Sequence, residues 1–319
     1  MNDFNFDGMY RVQSRREYGP SVLEGNWYRA PGLIDQATIN HALQAHPSWR
    51  GTAEVRLRPA LITRRGGKFQ SEPDILYKRE LFEPSAASEP MADDMVDILK
   101  AKRNWSARSR HVVAILPDDC TDMVARLRDL ELTIANEYVV HEAGHFLSYD
   151  VLSKQRDGYF TVKGKTAWPL IYLEELRADL NAFGFAAQLL PAESAAQIFF
   201  YNLMLRFGVH REGLLRKKIA PYGLVPYLLF HVLHAMDFVR VGKRGGQHYL
   251  QLASTRPADV LEVMRACAAH AEDQLNPGVH TASVLDNAIS SAAYIHQRLR
   301  DAERVDGFDK VMNKACDQE

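Results

Sequence analysis

The chain has 319 residues, of which 46% are hydrophobic and 25% are charged. These values are typical of folded proteins and exclude a disordered, collagen-like or disulfide-rich chain. The formal net charge is −1 at pH 7, so electrostatics give no reason to expect a nucleic acid or an anionic membrane as a partner. At about 150 residues per domain, the length predicts two domains or one large domain with two lobes.

The number and spacing of the cysteines and the hydropathy of the chain indicate a cellular compartment. The 3 cysteines lie far apart and form no C-x-x-C pair, which favours a reducing compartment. The N-terminus lacks the apolar segment of a signal peptide. The most apolar stretch, residues 222–239, contains Pro226, two histidines and Asp237, and it predicts a buried helix rather than a membrane span. We therefore expect a cytoplasmic protein with no membrane partner.

Short strand signals dominate the first part of the chain. The alternation of residues 54–58 predicts a strand, and Gly66 with Gly67 predicts a turn after it. Residues 91–102 predict a short helix. The apolar run 111–116 predicts another strand, because it is brief and stops at a proline.

Helical periodicity dominates from residue 119 onward. A helix capped by Asp118 or Asp119 is expected to run to residue 151. A second helix, with Pro169 in its first turn, is expected over residues 169–190. Further helices are predicted over residues 192–207, 222–239, 257–274 and 282–304.

This order of elements predicts an α+β protein. Residues 1–118 are expected to form a mixed, β-containing lobe, and residues 119–319 a mainly α-helical lobe.

The most specific signal is an H-E-x-x-H motif at residues 141–145, inside the first long helix. At about 100° per residue, His141 and His145 share one face of the helix, so both imidazoles can reach one metal ion. Glu142 follows the first histidine and can contact a water on the metal without binding the metal itself. Zinc lowers the pKa of such a water to about 7, which predicts Glu142 as the general base in attack on a carbonyl.

A third ligand does not follow directly after the motif. Ser148 and Val151 stand where the metzincin class requires a glycine and a ligand, so that class is excluded. Asp150 is turned by about 140° from His145 on a helix, and it is expected to be a cap or a surface residue.

The second helix offers a better carboxylate. Glu175 lies among apolar residues, where an unpaired carboxylate is costly to bury, and it is the predicted third ligand. Asp179 follows four residues later on the same face and is placed to accept the N–H of a liganding histidine, with His141 preferred. The alternative is an ordinary solvated helix face of Glu-Glu/Arg charges.

Together the two motifs resemble the gluzincin group of zinc metallopeptidases. The string EELRAD at residues 174–179 is similar to the second zinc motif, EECRAE, of the dipeptidyl peptidase III family. The resemblance implies a zincin-like fold and Zn²⁺ as cofactor. It also implies His141, His145 and Glu175 as the ligands and Glu142 as the general base.

The resemblance covers these two segments and departs from the family in two ways. The chain has one residue fewer between its histidines, and Asp179 stands where the family has its last glutamate. The resemblance therefore extends to the zinc centre and leaves the substrate open.

Hydrolysis of a peptide bond also needs a donor for the oxyanion that forms on the carbonyl. His234 is preferred because Asp237 follows it by three residues and can orient it, and His231 is the alternative. Both are also explained, and somewhat better, as core histidines of an apolar helix. Further candidate donors are Tyr159, Tyr172, Tyr222 and Tyr227.

A basic cluster surrounds the predicted turn and consists of Arg56, Arg58, Arg64, Arg65 and Lys68. Such a cluster can clamp a carboxylate or a phosphate. A solvated strand face is the preferred interpretation, as it is for the basic residues 216–218.

These features predict a zinc-dependent, metallopeptidase-like hydrolase that acts on a peptide or amide bond, with an extended peptide along the strand at 111–116. The alternative is a zinc enzyme of small-molecule metabolism, such as a lyase or a non-peptide hydrolase. A binding protein with a structural metal site is disfavoured, because such a site needs no base at Glu142. The expected partner is a peptide or a small molecule, and the sequence predicts no oligomeric state.

Overall fold

The computed structural model describes residues 9–12, 21–51, 54–70, 74–77, 92–148, 161–208, 221–277, 283–308 and 310–311. Within these residues the chain has a mixed α/β fold with one five-stranded sheet and two separate two-stranded sheets. The end of the first predicted helix, residues 149–151, and the basic residues 216–218 lie outside the described residues.

The front part of the chain builds the five-stranded sheet. Its strands are β1 (Met9–Val12), β2 (Ser21–Trp27), β3 (Val55–Gly66), β4 (Ile75–Tyr77) and β5 (Ala92–Asp97), and helix α1 (Gln36–Ala45) lies between β2 and β3. The strand order is β1-β2-β3-β5-β4. β3 and β5 are parallel, and the other neighbouring strands are antiparallel.

The back part is helical. The helices are α2 (Ile98–Ile115), α3 (Cys120–Arg126), α4 (Leu130–His145), α5 (Trp168–Leu189), α6 (Ala192–Phe207), α7 (Pro221–Ala235), α8 (Pro257–Gln274) and α9 (Val284–Glu303). The hairpin of β6 (Thr161–Val162) and β7 (Lys165–Thr166) precedes α5, and the hairpin of β8 (Val239–Arg244) and β9 (Gln247–Leu252) joins α7 to α8. Helices α5, α6 and α8 lie where their periodicity and flanking prolines predict them.

The strand predicted over residues 111–116 is wrong, because this segment is the end of α2. Val112 and Ile115 are fully buried, whereas Val113 between them is 55% exposed. That spacing is helical, and the buried face continues back to Trp105. A short apolar run does not distinguish a buried strand from a buried helix. The path expected for an extended peptide along this segment is therefore lost.

The helix predicted over residues 91–102 begins later than expected. Its first half is strand β5, and α2 starts at Ile98. Asp97 marks the change, because its side chain accepts the N–H of Lys100 at 3.1 Å and caps the helix.

The first long helix predicted from the sequence is two helices, α3 and α4. Asp129 caps α4 by accepting the N–H of Leu132 at 3.0 Å. Of the predicted caps, Asp119 is the N-cap residue of α3, but its side chain accepts the N–H of Leu252 at 2.8 Å instead of a helix N–H, and Asp118 pairs with Arg244 at 2.8 Å. These two aspartates hold the β8–β9 hairpin.

One large hydrophobic cluster contains residues of both parts of the chain, from Val55 and Leu57 of β3 to Phe183 and Phe199 of the central helices. This cluster includes residues from both sides of residue 118, and the division into two lobes at that residue stays a prediction. Helices α4, α5 and α6 are buried on most of their surface, so their polar side chains must find partners inside the protein. Among the described helices, none combines the length and apolar character that crossing a membrane requires.

Candidate metal centre

The H-E-x-x-H motif forms the last five residues of α4. The Nε2 atoms of His141 and His145 lie 3.2 Å apart, and the two rings are perpendicular. The helix ends directly after the motif. Ser148 has a left-handed φ of 71° and is buried, and its N–H donates to the carbonyl of Ser48 at 2.7 Å. This contact ties the end of α4 to the segment that precedes β3.

Helix α5 crosses α4 at Gly144. A Cβ at this position would lie 2.7 Å from the carbonyl oxygen of Ala178, so a larger residue would push the helices apart. Because α4 and α5 cross so closely here, Glu174 and Glu175 of α5 lie next to the two histidines of α4. Sequence reasoning missed the role of Gly144, although a glycine in the middle of a helix is a signal of close packing.

Glu175 completes a group of three metal-ligand side chains. Its Oε2 atom is 3.6 Å from His141 Nε2, and one donor atom each from His141, His145 and Glu175 all lie within 4.8 Å of one another. Glu175 Oε2 is buried and accepts no hydrogen bond from the described residues. A tetrahedral zinc with bonds of about 2.0–2.1 Å separates its ligand atoms by roughly 3.3–3.5 Å, close to the 3.2 Å and 3.6 Å that separate His141 Nε2 from His145 Nε2 and from Glu175 Oε2. These residues therefore fit a divalent ion.

Asp179 lies behind His141. Its Oδ1 is 3.0 Å from His141 Nδ1. Arg206 donates to both Asp179 oxygens, with each contact at 2.7 Å, and Asn202 donates to Oδ1 at 2.8 Å. Burial raises the pKa of Asp179, but Arg206 and His141 outweigh it and hold this pKa far below its usual value. Asp179 is therefore a charged carboxylate directly behind the His141 ring.

Glu174 has the equivalent position behind His145. Its Oε1 is 2.9 Å from His145 Nδ1. Arg177 donates to both Glu174 oxygens, at 2.8 Å and 3.1 Å, and to the carbonyl of Leu147 at 2.7 Å. Each histidine thus has a carboxylate behind it that is held by a buried arginine. The sequence predicted such a partner for one histidine only and missed Glu174.

The charges of the site favour a cation. Burial lowers the pKa of His141, but Asp179 and Glu175 outweigh it, and the pKa stays well above the usual value. Burial raises the pKa of Glu175, and the histidines and Arg206 reverse this effect, so this pKa is lowered. The carboxylates are therefore ionised, and a proton and a metal ion compete for the imidazoles.

Glu142 is 3% exposed and belongs to the same buried end of α4. Tyr138, one turn earlier, donates to Asp94 of β5 and accepts the N–H of Arg58 at 3.3 Å. Burial raises the pKa of Tyr138 well above its usual value, and the charges of Asp94 and Glu142 raise it further. Tyr138 thereby connects the helix of the predicted base to the sheet.

The predicted oxyanion donor His234 contacts residues near the β8–β9 hairpin. Its Nδ1 is 2.9 Å from the carbonyl oxygen of Val239, and its ring stacks on Phe230. Asp237, which was expected to orient it, is 81% exposed and lies 3.6 Å from Arg240. Val239, and not Asp237, therefore holds the His234 ring among the described contacts.

The other candidate donors are spread over the helices. His231 lies 3.6 Å from Asp301 of α9. Tyr172 stacks on Trp168, one turn before Glu175 on α5. Tyr227 packs against Phe308. The side chains of Tyr159 and Tyr222 lie outside the described part of the chain.

Three basic residues of β3 have different contacts. Arg65 pairs with Asp97 at 2.8 Å, and Arg64 pairs with Glu24 at 3.1 Å. Arg58 lies over a tryptophan ring. These three have separate partners, which agrees with the preferred interpretation of individual side chains rather than one anion clamp, and the side chain of Lys68 lies outside the described part of the chain.

Solved structures of dipeptidyl peptidase III have a similar fold. DPP III from Caldithrix abyssi aligns with a TM-score of 0.56 and 9% identity, over 93% of this chain and 54% of that chain. Dipeptidyl-peptidase III from Corallococcus sp. strain EGB aligns with a TM-score of 0.50 and 12% identity, over 93% of this chain and 56% of that chain. The chain therefore spans slightly more than half the length of these proteins.

The fold of the chain is therefore similar to that of the family whose second zinc motif residues 174–179 resemble. At such low identity the likeness shows the fold alone. No model of a known protein family matches the chain, and no curated protein sequence does.

Proposed function

We propose that this protein is a zinc-dependent hydrolase of peptide or amide bonds, with His141, His145 and Glu175 as ligands and Glu142 as the general base. The convergence of the three ligand side chains within 4.8 Å carries this proposal. The fold shared with structures named dipeptidyl peptidase III favours a peptide as the substrate.

The carboxylates behind the histidines prepare them for a metal. Glu174 is within hydrogen-bond distance of His145 Nδ1, and the charged Asp179 lies 3.0 Å from His141 Nδ1, so both carboxylates favour a ring proton on Nδ1 and an Nε2 lone pair that faces the neighbouring ring. Glu175 adds a negative charge. Zn²⁺ held by these residues supplies Lewis acidity, which polarises a carbonyl and lowers the pKa of a water molecule to about 7.

Glu142 moves the protons of the reaction. It takes a proton from the attacking water and delivers it to the leaving amine. Its burial at the end of α4 keeps the carboxylate in surroundings of low dielectric, where charge interactions are stronger than in water. His234 remains the proposed donor to the oxyanion, and His231 remains the alternative.

Zinc analysis and one substitution test the proposal. The purified protein is expected to contain about one zinc per chain and to cleave short peptides, and Glu142→Gln is expected to abolish cleavage while the zinc content is unchanged. A folded protein that takes up no zinc would contradict the metal centre. An unchanged rate in Glu142→Gln would remove the role of the base.

A further inference from the structure

Arg206 of α6 contacts both carboxylates that α5 presents on the His141 side of the site. Its Nη2 is 2.7 Å from Asp179 Oδ1 and 3.5 Å from Glu175 Oε2, and its Nε is 2.7 Å from Asp179 Oδ2. The side chain is only 3% exposed. One guanidinium nitrogen therefore lies beside the oxygen that holds His141 and beside an oxygen of the predicted ligand.

The two contacts differ in kind. Charged N–H···O hydrogen bonds measure about 2.7–2.9 Å, a range that includes both bonds to Asp179 and excludes the 3.5 Å contact with Glu175. Asp179 thus anchors the guanidinium. The guanidinium acts on Glu175 as a nearby fixed positive charge, which favours the ionised form of that carboxylate.

Helix α6 supplies a second donor to the same carboxylate. Asn202, one turn before Arg206, donates to Asp179 Oδ1 at 2.8 Å and to Glu137 Oε1 at 3.3 Å. The orientation of Asp179 is therefore set by α6, although neither sequence motif of the metal site includes this helix.

On the basis of the proposed function, we infer that Arg206 is a positioning residue of the metal centre. Its planar fork fixes Asp179 behind His141, and its charge acts on Glu175. Lysine keeps the charge but lacks the fork that binds both oxygens in one plane. An Arg206→Lys substitution therefore separates orientation from charge.

The test is a titration of the metal-free protein with Co²⁺, whose absorption reports ligand geometry, and with Zn²⁺. Arg206→Lys is expected to weaken the affinity for both ions by about 10–100-fold and to change the Co²⁺ spectrum, because His141 loses its fixed partner. Arg206→Gln, which retains one donor to Asp179, is expected to lose at least as much affinity and serves if the lysine variant does not fold.

Arg65→Lys is the matched control. Arg65 also pairs with a buried aspartate, since its Nε and Nη2 both lie 2.8 Å from Asp97 Oδ2 at the start of α2. This variant is expected to unfold at a lower temperature and to bind both ions as the wild type does.

Three results would overturn the inference. One is a wild-type affinity and spectrum in Arg206→Lys. Another is an equal loss of affinity in Arg65→Lys, which would attribute the effect to general stability. A wild-type protein that binds neither ion would overturn the proposed function and, with it, this inference.

Discussion

His141 and His145 face each other with their Nε2 atoms 3.2 Å apart, while their Nδ1 atoms point toward carboxylates. Because a carboxylate accepts a hydrogen bond, the proton of each neutral ring belongs on Nδ1. Two Nε2 lone pairs then meet in one small volume, where they repel each other. A proton or a metal ion between them removes the repulsion, so the pair favours a bound cation.

Zinc binding is expected to release a proton near neutral pH. Burial lowers the pKa of His141, but Asp179 and Glu175 outweigh it and raise the pKa well above its usual value. The metal-free site therefore stays protonated up to that raised pKa, and zinc affinity should increase about tenfold per pH unit below it. Calorimetry in buffers of different ionisation enthalpy measures the released proton. An affinity that does not change between about pH 6 and pH 8 would contradict this expectation.

Glu174→Gln is expected to weaken zinc binding by about 10–100-fold, because an amide is a poorer acceptor for His145 Nδ1 than a carboxylate. It also leaves the buried Arg177 with a neutral partner. Competition with a chelator measures the affinity. Glu131→Gln is the control, because it breaks a partly exposed ion pair with Lys102 and leaves the histidines untouched. Equal zinc affinity in both variants would remove the role of Glu174.

Gly144→Ala is expected to lower the free energy of unfolding by about 1–3 kcal/mol and to reduce zinc affinity as well. The new Cβ would lie 2.7 Å from Ala178 O, and the helices must separate to relieve this contact. Gly184→Ala is a matched control on α5, where the Cβ would meet Ala268 at 2.7 Å. Denaturant unfolding and zinc titration should show lost stability in both variants and lost affinity in Gly144→Ala alone.

His234→Gln tests the proposed oxyanion donor. If His234 contacts the substrate, kcat should fall by about 10²–10³-fold at unchanged zinc content, with a smaller change in KM. His231→Gln is the comparison, and little effect on kcat is expected. Wild-type kinetics in His234→Gln would contradict a role as oxyanion donor. The His234 ring would then serve to support the β8–β9 hairpin through its contact with Val239.

The helices that carry the site were largely predictable, because long periodic segments and flanking prolines determine them. The i, i+4 spacings also placed His141 near His145 and Glu175 near Asp179 on common faces, and the structure brings the two pairs together. Their roles as ligands and support stay predictions until metal is measured.

The missed features depend on contacts between distant segments. Arg206 and Glu174 contribute through contacts across helices, which no local spacing reveals. The sequence of residues 111–116 predicts a strand wrongly, because a short apolar run is compatible with either a buried strand or a buried helix. The packing partners of this segment decide which of the two forms. Gly144 was visible in the sequence as a glycine within a helix, but the residue that requires it, Ala178, lies on another helix.

The left-handed Ser148 and its contact with Ser48 make the helical half dependent on the front of the chain. A contact between such distant positions forms only after a long loop has closed, and loop closure costs entropy early in folding. We therefore expect the last turn of the motif helix to be completed late in folding. A fragment that begins after Ser48 would retain every predicted ligand and still lose the anchor that terminates their helix.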